Sequence, residues 1–134
     1  MSVDGIFSGV DISTSGLKTQ SKMMELISSN VANARTTDAG NGQPYRRLHA
    51  KVVSNGDEAG GVSIKDILAD TSDFRMVFDP GHPEADGNGY VSMPNVDIPV
   101  EMMNLSMATR SYQANAATLR RYQQMVETAL ELLR

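Results

Sequence analysis

Two amphipathic helical stripes, one at each end of a 134-residue chain, constrain the fold more than any other feature. The first runs Ile6, Val10, Ser13, Leu17, Gln20, Met24, Ile27, Val31, Ala34. The second runs Ile98, Met102, Leu105, Thr109, Tyr112, Ala116, Leu119, Gln123, Val126, Leu130, Leu133. In both, the steps alternate four and three, so about one residue per turn falls on a single narrow seam. Such a seam suits a partner helix better than a broad globular core. Nearly all of the glycine and proline lies between the two stripes, and this places turns and short strands in the middle. The expected fold is mainly α with a small β unit: N- and C-terminal helices form an antiparallel coiled coil, and a short-stranded β domain lies between them. The division is residues 1–36 for the first helix, 37–97 for a Gly/Pro-rich β domain and 98–134 for the second helix.

Composition supports an assembly role over catalysis. The chain is 40% hydrophobic but only 5% aromatic and lacks Trp, which argues against a large compact core. Nine Met residues supply pliable apolar surface suited to several neighbours. The net charge is −4, and the basic pairs Arg46-Arg47 and Arg120-Arg121 are isolated, which speaks against nucleic-acid binding. With no cysteine there are no disulfides, thiol nucleophiles or Cys-based zinc sites. The start, Met1-Ser2-Val3-Asp4-Gly5-Ile6, lacks a basic region and an apolar run, so no cleaved signal peptide is expected. No stretch has the roughly 18 apolar residues of a membrane span, so no direct membrane insertion is expected either.

Along the chain, Ser2 or Asp4 is placed to cap the first helix. Gly9 and Ser13-Thr14-Ser15-Gly16 weaken its propensity, so it needs packing to be complete. Turn residues Asp38 to Gly42 follow it. Alternation marks strands near Tyr45–Val53, Val62–Leu68, Phe74–Phe78 and Gly89–Met93, a small and mostly antiparallel unit. Pro99 fits a first helical turn, while Glu101 at one end of the second helix and Arg134 at the other match its dipole. Ala108, Ala114, Ala117 and Ala129 read as small residues on flanks open to neighbouring helices.

Chemistry-bearing constellations are absent. Asp79, His82, Glu84 and Asp86 superficially suggest a metal site, but Pro80, Gly81 and Pro83 explain the segment as a rigid turn. Asp86-Gly87-Asn88-Gly89 lacks the later ligands of a calcium loop. There is no phosphate loop, and Ser13 to Gly16 is not a nucleophile elbow. No enzyme activity and no cofactor are expected.

Ser29-Asn30-Val31-Ala32-Asn33-Ala34 resembles the signature near the N-terminus of bacterial flagellar rod and hook proteins. Pro44-Tyr45-Arg46-Arg47, the run from Asp79 to Val91, Met93-Pro94-Asn95-Val96 and Ser111-Tyr112-Gln113-Ala114-Asn115 follow in the order of that family. They narrow the likeness to subunits of the proximal rod. Leu119-Arg120-Arg121-Tyr122-Gln123-Gln124-Met125 departs from the Met-rich, Lys-containing helix common there, and Asn55 to Ala69 matches nothing in it. The resemblance implies a structural subunit that polymerises through its terminal helices into the torque-transmitting periplasmic rod. Its partners would be copies of itself, related rod proteins and the flagellar type III export apparatus, which exports it without a cleaved signal. Subunit contacts would then fall on Ile6, Val10, Leu17, Met24, Ile27, Asn30, Val31, Asn33, Met102, Leu105, Tyr112, Asn115, Leu119, Val126, Leu130 and Leu133. Asn30 and Asn33, three apart, can satisfy backbone groups at the helix end or bridge to a neighbour. The alternatives are another rod or hook axial subunit, or a coiled-coil binding module or export adaptor.

Overall fold

A computed structural model describes residues 3–56 and 60–133, with first-helix side chains described from residue 9 onward. Ser2 and the Arg134 dipole match lie outside those residues, and the Asp4 cap and Ile6 seam position lie outside the described side chains. The chain runs α1 (Val3–Ala32), β1 (Leu48–Ser54), β2 (Val62–Ala69), β3 (Arg75–Phe78), β4 (Tyr90–Met93) and α2 (Ile98–Leu132). The two helices flank the strands as the stripes require. The four strands, however, form two separate antiparallel hairpins, β1–β2 and β3–β4. In the first, Leu48 faces Ala69 and Ser54 faces Val62, with Lys65 inserted as a bulge between the pairs Lys51–Asp66 and Val52–Ile64. In the second, Arg75 faces Met93 and Phe78 faces Tyr90, whose rings meet edge to face at 5.3 Å. The 86–89 segment is a turn: the Asp86 carboxylate accepts the N–H groups of Asn88 and Tyr90.

The helices pack antiparallel in a defined register. A side chain at Gly9 would meet Tyr122, and one at Gly16 would meet the Asn115 amide. Further along, Thr109 reaches Met24, and Asn30 bonds Glu101. Gly9, Gly16, Met23 and Asn30 on α1 are thus spaced by seven, as are Tyr122, Asn115, Ala108 and Glu101 on α2. The facing rows repeat every seven residues, and their members differ from the predicted stripes. Glycine provides the hole and Tyr122 or Asn115 the knob, where the stripes suggested apolar residues on both sides. Ser13 and Gly16 are buried on α1, and Ala108, expected on an open flank, is buried between the helices. The weak formers in α1 are therefore the price of close approach.

Ser13 to Gly16 also meets the first hairpin. The Ser15 hydroxyl accepts the Val62 N–H at 3.1 Å, and Thr19 reaches the Val62 carbonyl at 3.5 Å. Gly61, at φ 97°, lets the hairpin turn pass directly over Ser15, where a Cβ would lie 2.6 Å from the hydroxyl.

α2 begins at the Asp97 N-cap, whose carboxylate accepts the Val100 N–H, with Pro99 in the first turn as expected. Of its 35 residues, only Glu101 and Ala108 are buried. The seam positions Leu105, Ala116 and Leu119 are part-buried, whereas Met102, Val126, Leu130 and Leu133 are exposed. Met102 lies off the 101–108–115–122 row that takes the contact, whereas Leu130 and Leu133 extend past the start of α1 in this register.

Replacing Gly16 with Leu should destabilise the chain by about 1–3 kcal/mol despite the better helix former, since it drives a side chain into Asn115. Adding Asn115→Ala should recover most of that loss in thermal unfolding.

Candidate functional site

The most connected region of the molecule is a polar latch at the end of α1. Asn30 is 1% exposed and uses its full hydrogen-bonding capacity inside the chain. Its amide donates to the Leu48 carbonyl at 2.8 Å and to Glu101 Oε2 at 3.1 Å. Its oxygen accepts the Leu48 N–H at 2.9 Å and the Tyr45 hydroxyl at 3.0 Å. Both backbone groups of Leu48 are therefore paired as a neighbouring strand would pair them, and β1 starts where a helix side chain ends its loop.

Glu101 is fully buried, which the reading of it as a dipole match did not foresee. A buried carboxylate needs charge and hydrogen bonds around it. It receives both: Arg47 Nε donates to Oε1 at 2.6 Å while Asn30 holds Oε2. Arg47 also lies 3.8 Å from the Asp70 carboxylate. Asn95 completes the cluster. Its oxygen accepts the Arg47 N–H at 2.9 Å, and its amide donates to the Asp70 carbonyl and the Ser72 hydroxyl. Arg46 donates to the carbonyls of Asp70 and Ser72 and stacks over Phe74 at 4.2 Å. The two arginines, isolated in sequence, are thus anchors of the fold. Among the described residues no buried polar side-chain atom lacks a partner.

Asn33 closes the helix end. Its amide donates to the Ser29 carbonyl, its oxygen accepts the Thr36 hydroxyl, and the Thr36 carbonyl receives the Tyr45 N–H. Of the two roles open to Asn30 and Asn33, the first is observed: both serve the backbone of their own chain. With all four bonds spent, Asn30 has nothing left to offer a neighbouring subunit, and Asn115 sits against Gly16 inside the helix pair. Tyr112 is 38% exposed and lines a shallow groove with Leu17 and Lys18. Ile27 is buried, and Val10, Met24 and Val31 are part-buried.

Sequence reasoning did not find Glu101, Arg47, Asp70 and Asn95 as one cluster. The available signal was that Asn30, Arg47 and Asn95 each belong to a separate family motif. Elsewhere, the Glu84 N–H donates to His82 Nδ1 at 3.2 Å within the turn. Among the described residues no three His, Cys, Asp or Glu side chains gather as a metal site would require.

Fold and latch together make a helix pair, one helix of it largely exposed, cross-braced to a small β module. A family model described as flagella basal body rod protein matches residues 11–39. A second, described as the C-terminal part of flagellar basal body rod FlgEFG protein, matches residues 88–132. The flagellar basal-body rod protein FlgC of Yersinia enterocolitica is 44% identical over 122 residues, covering 89% of each chain. That of Agrobacterium fabrum is 38% identical over 136 residues, covering 98% of each. That of Bacillus subtilis is 37% identical over 145 residues, covering 94% of this chain and 97% of its own. The chain belongs to the FlgC family of flagellar basal-body rod proteins. Its role is that of a structural rod subunit and not of an enzyme.

Asn30→Ala should cost about 3 kcal/mol, since it strips a buried carboxylate and a strand end of their partners. Asn30→Asp should cost more at neutral pH, because it sets a second carboxylate beside Glu101 and cannot donate; urea titrations of both variants measure this. The Ser72 N–H and hydroxyl, with Arg47 and His49 nearby, hold the Asp70 carboxyl below its ordinary value. A carboxyl depressed in the native state stabilises above its unfolded value and loses that contribution as pH falls through the native one. Asp70→Asn should therefore be slightly less stable than the parent at neutral pH, with the difference vanishing in strong acid.

Proposed function

We propose that this subunit polymerises through the uncovered face of α2, together with parts of α1, into the wall of the rod. The observation that carries this reading is the exposure of large apolar side chains along α2. Met102, Met103 and Met107 stand more than half exposed near its start, and Met125 and Leu130 near its end. A helix of about 52 Å with two buried residues gives only one face to its own chain. Large apolar surface left open marks an interaction site, and repeated heterologous contacts build a helical tube.

In this reading residues 1–36 and 98–134 make the inner helical layer and residues 37–97 an outer module. The rod crosses the periplasm and transmits torque by continuous helix packing, with no residue doing chemistry. The subunit reaches its place through the flagellar type III export apparatus and without a cleaved signal, and its neighbours are copies of itself and related rod proteins. Of the positions named from the sequence, Met102, Val126, Leu130 and Leu133 are the best candidates for subunit contact, because they are exposed. Leu105 and Leu119 share their area between the two helices and any neighbour.

Val126→Asp should leave the purified subunit folded, with thermal unfolding within a few degrees of the parent. In cells with no other copy of the gene, it should abolish swimming and leave basal bodies without a complete rod. Normal motility with intact basal bodies would overturn the proposal.

A further inference from the structure

We infer that the acidic, leucine-rich end of α2 docks on a lysine-flanked groove between α1 and α2 of a second copy of this chain, at a fixed axial stagger. The inference rests on the assembly reading above and names the contact. The groove, of about 400 Å³, is lined by Leu17, Lys18, Ser21, Lys22, Glu25 and Tyr112. Lys18 and Lys22 are one turn apart on the same face of α1, with the small Ser21 between them. Lys18 is exposed, and Lys22, its side chain 41% exposed, is ion-paired with Glu25 at 2.7 Å, a pair that Glu127 of the second copy would share. The end of α2 presents the reciprocal pattern. Glu127 and Glu131 are exposed one turn apart, with Leu130, 62% exposed, between them.

The two patterns match in charge, pitch and shape. Both ion pairs repeat every four residues, about 6 Å along a helix axis, so antiparallel helices can satisfy both at once. Leu130 then lies over Ser21 and against Leu17 and the Tyr112 ring. One chain cannot make this contact with itself. In the register that sets Asn30 against Glu101 and Gly16 against Asn115, Lys18 and Lys22 lie level with residues 113 and 109. Glu131 and Glu127 are each 18 positions further along α2, about 27 Å away. The partner must be another subunit displaced by that distance. The contact joins different surfaces on the two copies, so it does not close on itself and extends along the rod.

The chain has no cysteine, so introduced pairs report cleanly. Basal bodies would be isolated from cells whose only copy carries Lys22→Cys with Glu127→Cys, then oxidised mildly. A disulfide-linked dimer of this chain is expected, at least tenfold above that from a mismatched pair, Lys22→Cys with Asp79→Cys. A cross-link to a different rod protein, or no enrichment, would overturn the inference. Charge exchange gives a second reading. Lys18→Glu with Lys22→Glu, or Glu127→Lys with Glu131→Lys, should reduce swimming, and all four together should restore it. If neither pair alters motility while Val126→Asp abolishes it, this docking fails and the assembly reading stands. If Val126→Asp is also silent, both fail.

Discussion

A single buried carboxylate organises the molecule. Glu101 is fully enclosed where α1 ends, β1 begins and α2 starts, and it is tolerable there only because Arg47 and Asn30 reach it from two other segments. Removing Arg47 would strand a charge in a water-poor place, and removing Asn30 would leave one carboxylate oxygen without its donor, so the three segments depend on one another. The arrangement makes an angular joint out of polar groups, where apolar contacts would have allowed sliding. Hydrogen bonds are directional, and a rod subunit benefits from a joint with one setting.

The helix pair follows a complementary logic. Its contact row alternates glycine holes on α1 with Tyr122 and Asn115 on α2, and ends in the polar Asn30–Glu101 pair. Slipping by a heptad would set Asn115 against Met23 and take Glu101 away from Asn30. The register is thus fixed by size at one end and by polarity at the other. Because the contact uses small residues, the helices lie close, and most of α2's apolar surface remains outward.

Both helices, all four strands and the turns around Asp79 and Gly89 were legible in the sequence, since 3.6- and 2-residue periods reflect which face is covered. What the stripes could not show was which neighbour covers them. Periodicity marks Met102 and Val126 as apolar positions, but it cannot distinguish an intrachain face from one reserved for assembly. Gly9 and Gly16 were read by propensity and Ala108 as a small residue on an open flank, and their value lies in the space they leave between the chain's own two helices. The latch was the least legible part. Arg47, Asp70 and the stretch from Asn95 to Glu101 are far apart in sequence, and their kinship is created only by the fold. The split of the strands into two hairpins was hidden for the same reason.

The first hairpin has a mechanical consequence. It is fastened to α1 at two places: Leu48 to Asn30 at one end, and Val62 to Ser15 and Thr19 at the other. The fixings span 15 residues of helix, about 22 Å, and the seven residues of β1 extend about 23 Å. The lengths agree, so the hairpin lies along the helix as a splint. A helix alone flexes easily where Ser13 to Gly16 weaken it, but a second member pinned at both ends shares bending load between strand and helix. One pin falls at that weak stretch, so the segment least able to hold its own shape is the one clamped from outside.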